Sequence, residues 1–107
     1  MSTSENNQYD TIEVMIYEEN LRIEAVDIHP DLDIMIVILN TKAILHQNLS
    51  AYKNLSKGNK ASLMEYELIA GGIGVHWPQL DEDLSLKGFL QEVLRKMVKS
   101  DKDTLAA

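Results

Sequence analysis

The sequence predicts an α+β fold: a small antiparallel sheet with short helices and one packed C-terminal amphipathic helix. Two patterns carry this prediction. Six consecutive apolar residues at 34–39 (IMIVIL) are typical of a strand whose two faces are both covered, or nearly so. Seven apolar residues further along the chain recur at helical spacing and form one stripe: Leu86, Phe89, Leu90, Val93, Leu94, Met97 and Val98.

Length and composition fit a single domain with a hydrophobic core. The chain has 107 residues, of which 45% are hydrophobic and 25% are charged, as in ordinary globular domains. We expect one α+β domain over residues 11–99, a disordered segment at 1–10 and a polar tail at 100–107. Residues 1–7 lack the basic start and apolar stretch of a signal peptide, so we expect a cytoplasmic protein.

Composition excludes or disfavours several functional classes. The chain has no cysteine, which excludes a disulfide framework, a thiolate zinc site and a thiol nucleophile within it. No apolar run approaches the roughly 20 residues that cross a bilayer, so we expect no membrane partner. The net charge of −7 disfavours nucleic acid, because binding to phosphates requires a basic surface.

The charge is unevenly distributed along the chain. Residues 1–33 carry a net charge of −8, residues 34–64 carry +4, residues 65–83 carry −5 and residues 84–107 carry +2. Such alternation is typical of oppositely charged segments that lie side by side in one domain. The alternative is an acidic surface that attracts a basic partner.

The segment before the first predicted strand has no unique assignment. Residues 11–17 are β-branched and apolar, yet their apolar positions also fit a helix, so periodicity leaves helix and strand open. Residues 21–29 favour a strand. Pro30 then predicts a turn, because its ring restricts its own φ and keeps His29 extended.

The six-residue apolar strand is the predicted centre of the sheet, and residues 43–49 are its predicted neighbour. A tight two-residue hairpin favours Asn-Gly, since both central residues need a positive φ. Thr41 is β-branched and resists that conformation, so we expect a longer loop or another turn type. Ser50 is the predicted N-cap of a short helix at 51–55, and residues 60–66 predict a second helical turn.

Glycines interrupt the next predicted strand. Residues 66–75 have strand chemistry at both ends and three glycines between them, which predicts a bulge or a close approach of another backbone. Pro78 ends the strand and holds Trp77 extended. The acidic run at 81–83 precedes the C-terminal helix and is expected to stabilise the positive end of its dipole, whereas Gly88 lowers the helix propensity.

The far end of the helical stripe has two possible neighbours. If the first residues of the stripe cover the sheet, Leu94, Met97 and Val98 overhang the sheet edge and can meet a partner protein or a second copy. Alternatively, the segment 11–17 covers them. The sequence leaves both arrangements open.

One motif is specific enough to indicate a family. Residues 66–89 read YELIAGGIGVHWPQLDEDLSLKGF and resemble the domain-of-unknown-function 2442 family, whose pattern is close to W-x-L-I-G-x-G-x-G-I-H-W-P-x-L-D-E-D-L-S-V-E-G-L-L. The resemblance extends over roughly residues 21–90, and residues 49–52 (LSAY) are similar to the family's P-L-x-W-Y-P-R-L segment. The matching motif residues are Gly72, Gly74, His76, Trp77, Pro78, Leu80, Asp81, Glu82, Asp83, Leu84, Ser85 and Gly88.

The resemblance implies a small α+β domain with an antiparallel sheet and one packed helix, and no established activity. Members are often encoded beside another small gene, similar to toxin–antitoxin pairs, and some carry a helix-turn-helix. Asn40-Thr41 departs from the family's Asp-Gly, Gln47-Asn48 departs from Val-Pro, and Lys53 replaces a proline. The helix also continues past the family's usual end, which adds apolar surface.

His76 and the acidic residues Asp81, Glu82 and Asp83 form the candidate metal or acid–base cluster, because imidazole and carboxylates suit divalent metals. Their spacing matches no zinc signature such as H-E-x-x-H, and adjacent residues on a turn point in different directions. In the structural interpretation Trp77 fills the core, the acids cap the helix and His76 forms a hydrogen bond with a nearby residue. We favour this interpretation and expect no catalytic residue, metal or cofactor.

Other catalytic patterns are missing from the sequence. Gly71, Gly72 and Gly74 match neither G-x-G-x-x-G nor G-x-x-x-x-G-K-[ST], and no serine lies within G-x-S-x-G. His29 and His46 are isolated, as packed or surface histidines commonly are. Neither phosphate binding nor serine-hydrolase chemistry is therefore expected.

We therefore expect a small non-enzymatic protein-interaction module, antitoxin-like or adaptor-like, whose acidic surface and helical stripe hold a partner. The expected partner is a basic protein encoded nearby, and a homo-oligomer is compatible with the sequence. The alternatives are a metal-dependent enzyme and a transcriptional regulator. The residues expected to form the motif or the interaction surface are His76, Trp77, Pro78, Asp81, Glu82, Asp83, Leu94, Met97 and Val98.

Overall fold

The computed structural model describes the backbone of residues 10–106 and the side chains of residues 10–99. The predicted α+β class is confirmed, but in this part of the chain the strands form two antiparallel three-stranded sheets rather than one. The elements are α1 (Thr11–Glu18), β1 (Ile23–His29), β2 (Ile34–Leu39), β3 (Ile44–Asn48), α2 (Lys60–Met64), β4 (Glu67–Ile69), β5 (Gly74–Trp77), β6 (Glu82–Ser85) and α3 (Leu86–Ala106). Residues 1–9, most of the expected disordered segment, lie outside the described residues.

The first sheet has the order β1-β2-β3, so the six-residue apolar strand is central, as predicted. Its two faces differ, however. Met35, Val37 and Leu39 are buried, whereas the alternating isoleucines Ile34, Ile36 and Ile38 are only partly buried. The expectation that both faces are covered or nearly so therefore applies fully to one face and partly to the isoleucine face, because antiparallel sheets commonly pack one face on the core and leave the other in contact with solvent.

The hairpin between β2 and β3 confirms the expected longer loop. The Lys42 amide donates to the Leu39 carbonyl at 2.9 Å, and the Leu39 amide donates to the Ala43 carbonyl at 2.9 Å. Lys42 takes the positive φ, 76°, that this loop requires, so Thr41 avoids it. The Lys42 ammonium also lies 3.2 Å from the Glu24 carboxylate, an exposed contact between the basic and acidic segments.

The prediction of a short helix at 51–55 is wrong. Two 3₁₀ turns, Leu49–Ala51 and Leu55–Lys57, replace it. The Ser50 hydroxyl, expected to cap that helix, donates instead to the Asp33 carboxylate at 2.6 Å, and the Ser50 amide donates to the same carboxylate at 2.8 Å. The second predicted helical turn is confirmed as α2, which begins after the capping residue Asn59.

The second sheet has the order β4-β5-β6. Gly71 and Gly72 do not interrupt one strand but lie in the turn between β4 and β5, with positive φ at Ala70, Gly71 and Gly72, and Gly74 begins β5. The expected close backbone approach is confirmed at Gly72. A Cβ atom there would lie 2.4 Å from the Ile23 carbonyl oxygen, and the Ile23 amide donates to the Gly72 carbonyl at 2.7 Å.

The acidic run does not cap α3, contrary to expectation, and Glu82 and Asp83 lie in the second sheet. Asp81 (φ 51°) ends a turn, and residues 82–85 then pair with β5. The helix begins only at Leu86, where the Ser85 hydroxyl accepts the Gly88 amide at 2.9 Å and acts as the N-cap. The backbone of α3 continues to Ala106, through most of the segment expected to be a polar tail.

Residues 11–17, which the sequence left open, are helical in α1. The Asp10 carboxylate caps this helix by accepting the Glu13 amide at 2.8 Å. Lys87 of α3 binds both acids, at 2.7 Å from Asp10 and 3.0 Å from Glu13. The acidic N-terminal segment therefore packs against the start of α3, as the alternating charges predicted.

One core joins the two sheets, α1 and the first turns of α3. Its largest fully buried side chains include Trp77 and Phe89. The buried apolar side chains are Ile16, Ile23, Val26, Ile28, Met35, Val37, Leu39, Leu45, Leu49, Leu55, Leu63, Val75, Trp77, Leu86 and Phe89.

Candidate functional site

His76 lies on the outer face of the second sheet, between two carboxylates. Its cross-strand neighbours are Glu67 on β4 and Asp83 on β6. The His76 Nδ1 atom contacts the Asp83 carboxylate directly, and about a third of the His76 side chain is exposed. The arrangement holds the imidazole ring in a fixed orientation by a local polar contact.

Trp77 points in the opposite direction and belongs to the core. Its side chain is fully buried, its indole N–H donates to the Leu63 carbonyl at 3.0 Å, and its ring centroid lies 6.3 Å from that of Tyr66. Pro78 is exposed and follows the end of β5. Trp77 is thus a core residue, as the sequence interpretation expected.

The three acidic residues of the motif do not converge. Glu82 pairs with Trp77 and Asp83 pairs with His76, so strand alternation places Glu82 and Asp83 on opposite faces, while Asp81 lies in the preceding turn. Among the side chains that the structure describes, no group of three or more His, Asp or Glu residues is arranged to hold a metal ion. The predicted His76–acid cluster is reduced to one His76–Asp83 pair.

A groove of about 360 Å³ brings the two family-like segments together. Its lining includes Tyr52 from the segment at 49–52 and Asp83 and Gly88 from the motif. The Tyr52 hydroxyl donates to the Gln47 side chain, which is fully buried, and the Tyr52 ring meets Phe89 edge-on at 6.1 Å. Burial, with a smaller contribution from the Glu92 charge, raises the pKa of Tyr52 to about 12, so this hydroxyl stays protonated at neutral pH.

Sequence reasoning missed the Tyr52–Gln47 contact. Gln47 is polar, and its departure from the family's valine gave no indication of burial. The available signal was its position in β3, two residues after the apolar Leu45 and therefore on the same face of the strand. The Gln47 amide also lies 3.5 Å from the carbonyl of Phe89 in α3. Gln47 therefore connects β3 both to Tyr52 and to the helix that packs over β3.

The far end of the helical stripe is exposed. The exposed fractions are 50% for Leu94, 59% for Met97 and 54% for Val98, whereas Leu86 and Phe89, at the start of the same stripe, are buried. The described part of α1 therefore leaves these three side chains uncovered. A shallow depression along α3 is lined by Gln91, Leu94, Arg95, Val98 and Lys99, which we call the α3 surface.

A second exposed apolar region lies on α1, and the sequence did not single it out. A shallow depression there is lined by Glu13, Val14, Tyr17 and Glu18, which we call the α1 surface. Tyr17 is about half exposed, and the Arg22 guanidinium lies 5.7 Å from its ring centroid. Two carboxylates thus line the α1 surface, whereas two basic side chains, Arg95 and Lys99, line the α3 surface.

No helix in the part of the chain that the structure describes is long and apolar enough to span a bilayer.

The comparisons with known proteins indicate a family and a fold. The sequence model of a family described as "Protein of unknown function (DUF2442)" matches residues 23–94. The crystal structure of a protein of unknown function from Rhodospirillum rubrum is similar, with a TM-score of 0.60 and 25% identity; the match covers 67% of this chain and 87% of that chain. The solution structure of an uncharacterised protein from Chromobacterium violaceum has a TM-score of 0.62 and 21% identity, over 83% of this chain and 78% of that chain. No curated protein matches.

Proposed function

The chain belongs to the DUF2442 family of proteins of unknown function, and we propose that it is a small non-enzymatic module that binds a partner protein through α3. The observation that carries this proposal is the half-exposed state of Leu94, Met97 and Val98. These residues lie at i, i+3 and i+4, the spacing by which a helix presents one apolar stripe to a neighbour.

The position of the exposed stripe relative to the family match supports the proposal. The match ends at residue 94, whereas α3 ends at Ala106. Met97 and Val98 therefore lie beyond the residues that the family's sequence model matches. Apolar side chains that the common fold does not need for its core are available for contact with another protein.

The contacts of the recognised motif support a non-enzymatic role. Trp77 fills the core, and His76 is held by Asp83 within the same sheet. The peptide groups of the glycine turn bond to neighbouring backbone, as in the contact between Ile23 and Gly72. These contacts stabilise the fold, so they explain the presence of the motif residues without a catalytic role.

An antitoxin-like version of the proposal adds a basic partner. Glu67 and Asp83 lie on either side of His76 on the outer face of the second sheet, and the ion pairs of the described side chains include no lysine or arginine bound to either. The net charge of −7 would speed the encounter with a basic protein at low salt. In this version the sheet face supplies the acidic contacts and α3 supplies the apolar ones.

The proposal is tested by affinity pull-down from the native host. The baits are the wild-type chain, the double variant Leu94→Lys/Val98→Lys, and the control Leu32→Lys/Ile44→Lys, which adds the same charge at two other exposed apolar positions. We expect one protein to be captured stoichiometrically by the wild type and by the control but not by the Leu94/Val98 variant. In the antitoxin-like version it is basic and is released as salt is raised.

Two results would contradict the proposal. One is that no protein, including an untagged copy of this chain, is recovered stoichiometrically. The other is that the Leu94/Val98 variant captures the same protein as well as the wild type does, which would place the contact elsewhere.

A further inference from the structure

We infer that the α3 surface binds the α1 surface of a second copy of this chain, in a dimer that uses both contacts. The inference rests on the proposed function, because it names the occupant of the α3 stripe. The two surfaces are both apolar at their centre: Leu94 and Val98 on α3, and Val14 and Tyr17 on α1. Each presents one face of a helix, which suits packing of a helix against a helix.

Charge selects this pairing over the simpler alternatives. Within one copy Arg95 pairs with Glu92, and Glu13 pairs with Lys87. The charges that distinguish the two surfaces are therefore Lys99 on the α3 surface and Glu18 on the α1 surface. Packing α3 against α3 would bring basic side chains of the two copies together, and packing α1 against α1 would do the same with carboxylates. Contact of α1 with α3 places opposite charges around both apolar centres, which favours this arrangement over like-charged ones.

The two surfaces lie on the same side of the molecule. Lys87 precedes Leu94 by seven residues and Val98 by eleven, so it lies on the same face of α3. The same lysine binds Asp10 and Glu13 at the start of α1. Because the surfaces are neighbours, one two-fold rotation can place each α1 on the α3 of the other copy, and the assembly closes at two chains.

A charge exchange tests the inference by sedimentation equilibrium of the full chain. We expect the wild type to dimerise reversibly between micromolar and millimolar concentration. Glu18→Lys and Lys99→Glu each place like charges across both symmetric contacts and should each weaken the dimer about ten-fold. The double variant Glu18→Lys/Lys99→Glu restores opposite charges and should recover most of the wild-type affinity.

Matched controls separate this effect from a change in net charge. Glu67→Lys and Lys53→Glu make the same charge changes at exposed positions outside the two surfaces, and we expect them to leave the dimer unchanged. All four substituted positions are exposed, and far-UV circular dichroism verifies that each variant is folded.

The inference is overturned if the wild type is monomeric over the whole concentration range, or if the double variant is as weak as the single ones. These failures are distinguishable from failure of the proposed function. A monomeric chain that still captures a different protein through Leu94 and Val98 would retain the proposed function and lose only the second copy as partner.

Discussion

Individual residues connect parts of the molecule that are distant in sequence, and Gly72 is the clearest case. Its φ of +116° and the 2.4 Å approach of the Ile23 carbonyl to a hypothetical Cβ leave no space for a side chain. Adjacent Gly71 also has a positive φ, 73°, but a Cβ there would meet nothing within 4 Å. The sequence indicated a close backbone approach somewhere among the three glycines, whereas the turn itself and the choice of Gly72 as the glycine that meets β1 depend on how the two sheets pack.

These neighbouring glycines give a matched pair of substitutions. Gly72→Ala combines backbone strain with a collision against backbone atoms, so we expect the free energy of unfolding to fall by about 3 kcal/mol or more. Gly71→Ala adds strain alone and should lower it by about 1 kcal/mol. Urea unfolding followed by circular dichroism measures both. Equal effects would contradict the close approach at Gly72.

The lowered pKa of Asp33 predicts how the stability of the fold depends on pH. Hydrogen bonds from the Ser50 hydroxyl, and then from the Ser50 amide, lower the pKa of Asp33 below its ordinary value of 3.8. A pKa that is lower in the folded state contributes stability above pH 3.8, and this stability is lost as the pH falls through the folded pKa.

Ser50→Ala removes the stronger of those bonds. We expect the variant to melt below the wild type at pH 7 and the difference in melting temperature to shrink as the pH falls from 5 to 3. Ser56→Ala, which removes a hydroxyl that donates to the nearby Lys53 carbonyl, is the control, and its difference should not depend on pH. A Ser50→Ala difference that stays constant with pH would refute this role of Asp33.

At the level of elements, helix α3 begins where strand β6 ends. The acidic residues before the helix favour a dipole interaction in the sequence, yet they pair with β5 instead. The helix therefore starts at Leu86, after Ser85. Hairpin pairing with the preceding strand overrode a dipole interaction worth only about 0.3–1 kcal/mol per charge.

Substitution of Ser85 tests whether this residue is the N-cap of α3. Ser85→Ala removes the acceptor for the Gly88 amide and should lower the free energy of unfolding by about 1 kcal/mol, whereas Ser85→Asp should retain most of it. If urea unfolding shows no loss for Ser85→Ala, or the same loss for Ser85→Ala and Ser85→Asp, Ser85 is not the cap.

In the whole molecule, a shared core holds the two sheets together. Val37 of the first sheet and Val75 and Trp77 of the second belong to one buried cluster with Phe89 of α3. Small domains with one such core usually unfold in a single transition. Trp77, the single tryptophan of the chain, reports on the second sheet and its contact with α2.

We therefore expect tryptophan fluorescence and far-UV circular dichroism to give the same urea midpoint and the same slope. Coincident transitions follow if neither sheet is stable without the other. Two separate midpoints would show that the second sheet unfolds independently of the first.

The sequence by itself determined the α+β class, the central strand β2, the longer hairpin loop and the helical stripe, because periodicity and φ restrictions depend on neighbouring residues. It also determined the family-like motif, although not the positions of its side chains. The tertiary structure alone decided that residues 11–17 are helical, that the strands divide into two sheets and that the carboxylate of Asp83 is the one that contacts the His76 ring among the three acidic residues of the motif. It also decided which end of the stripe is exposed: the core ends before Leu94, and burial depends on contacts between residues that are far apart in the chain.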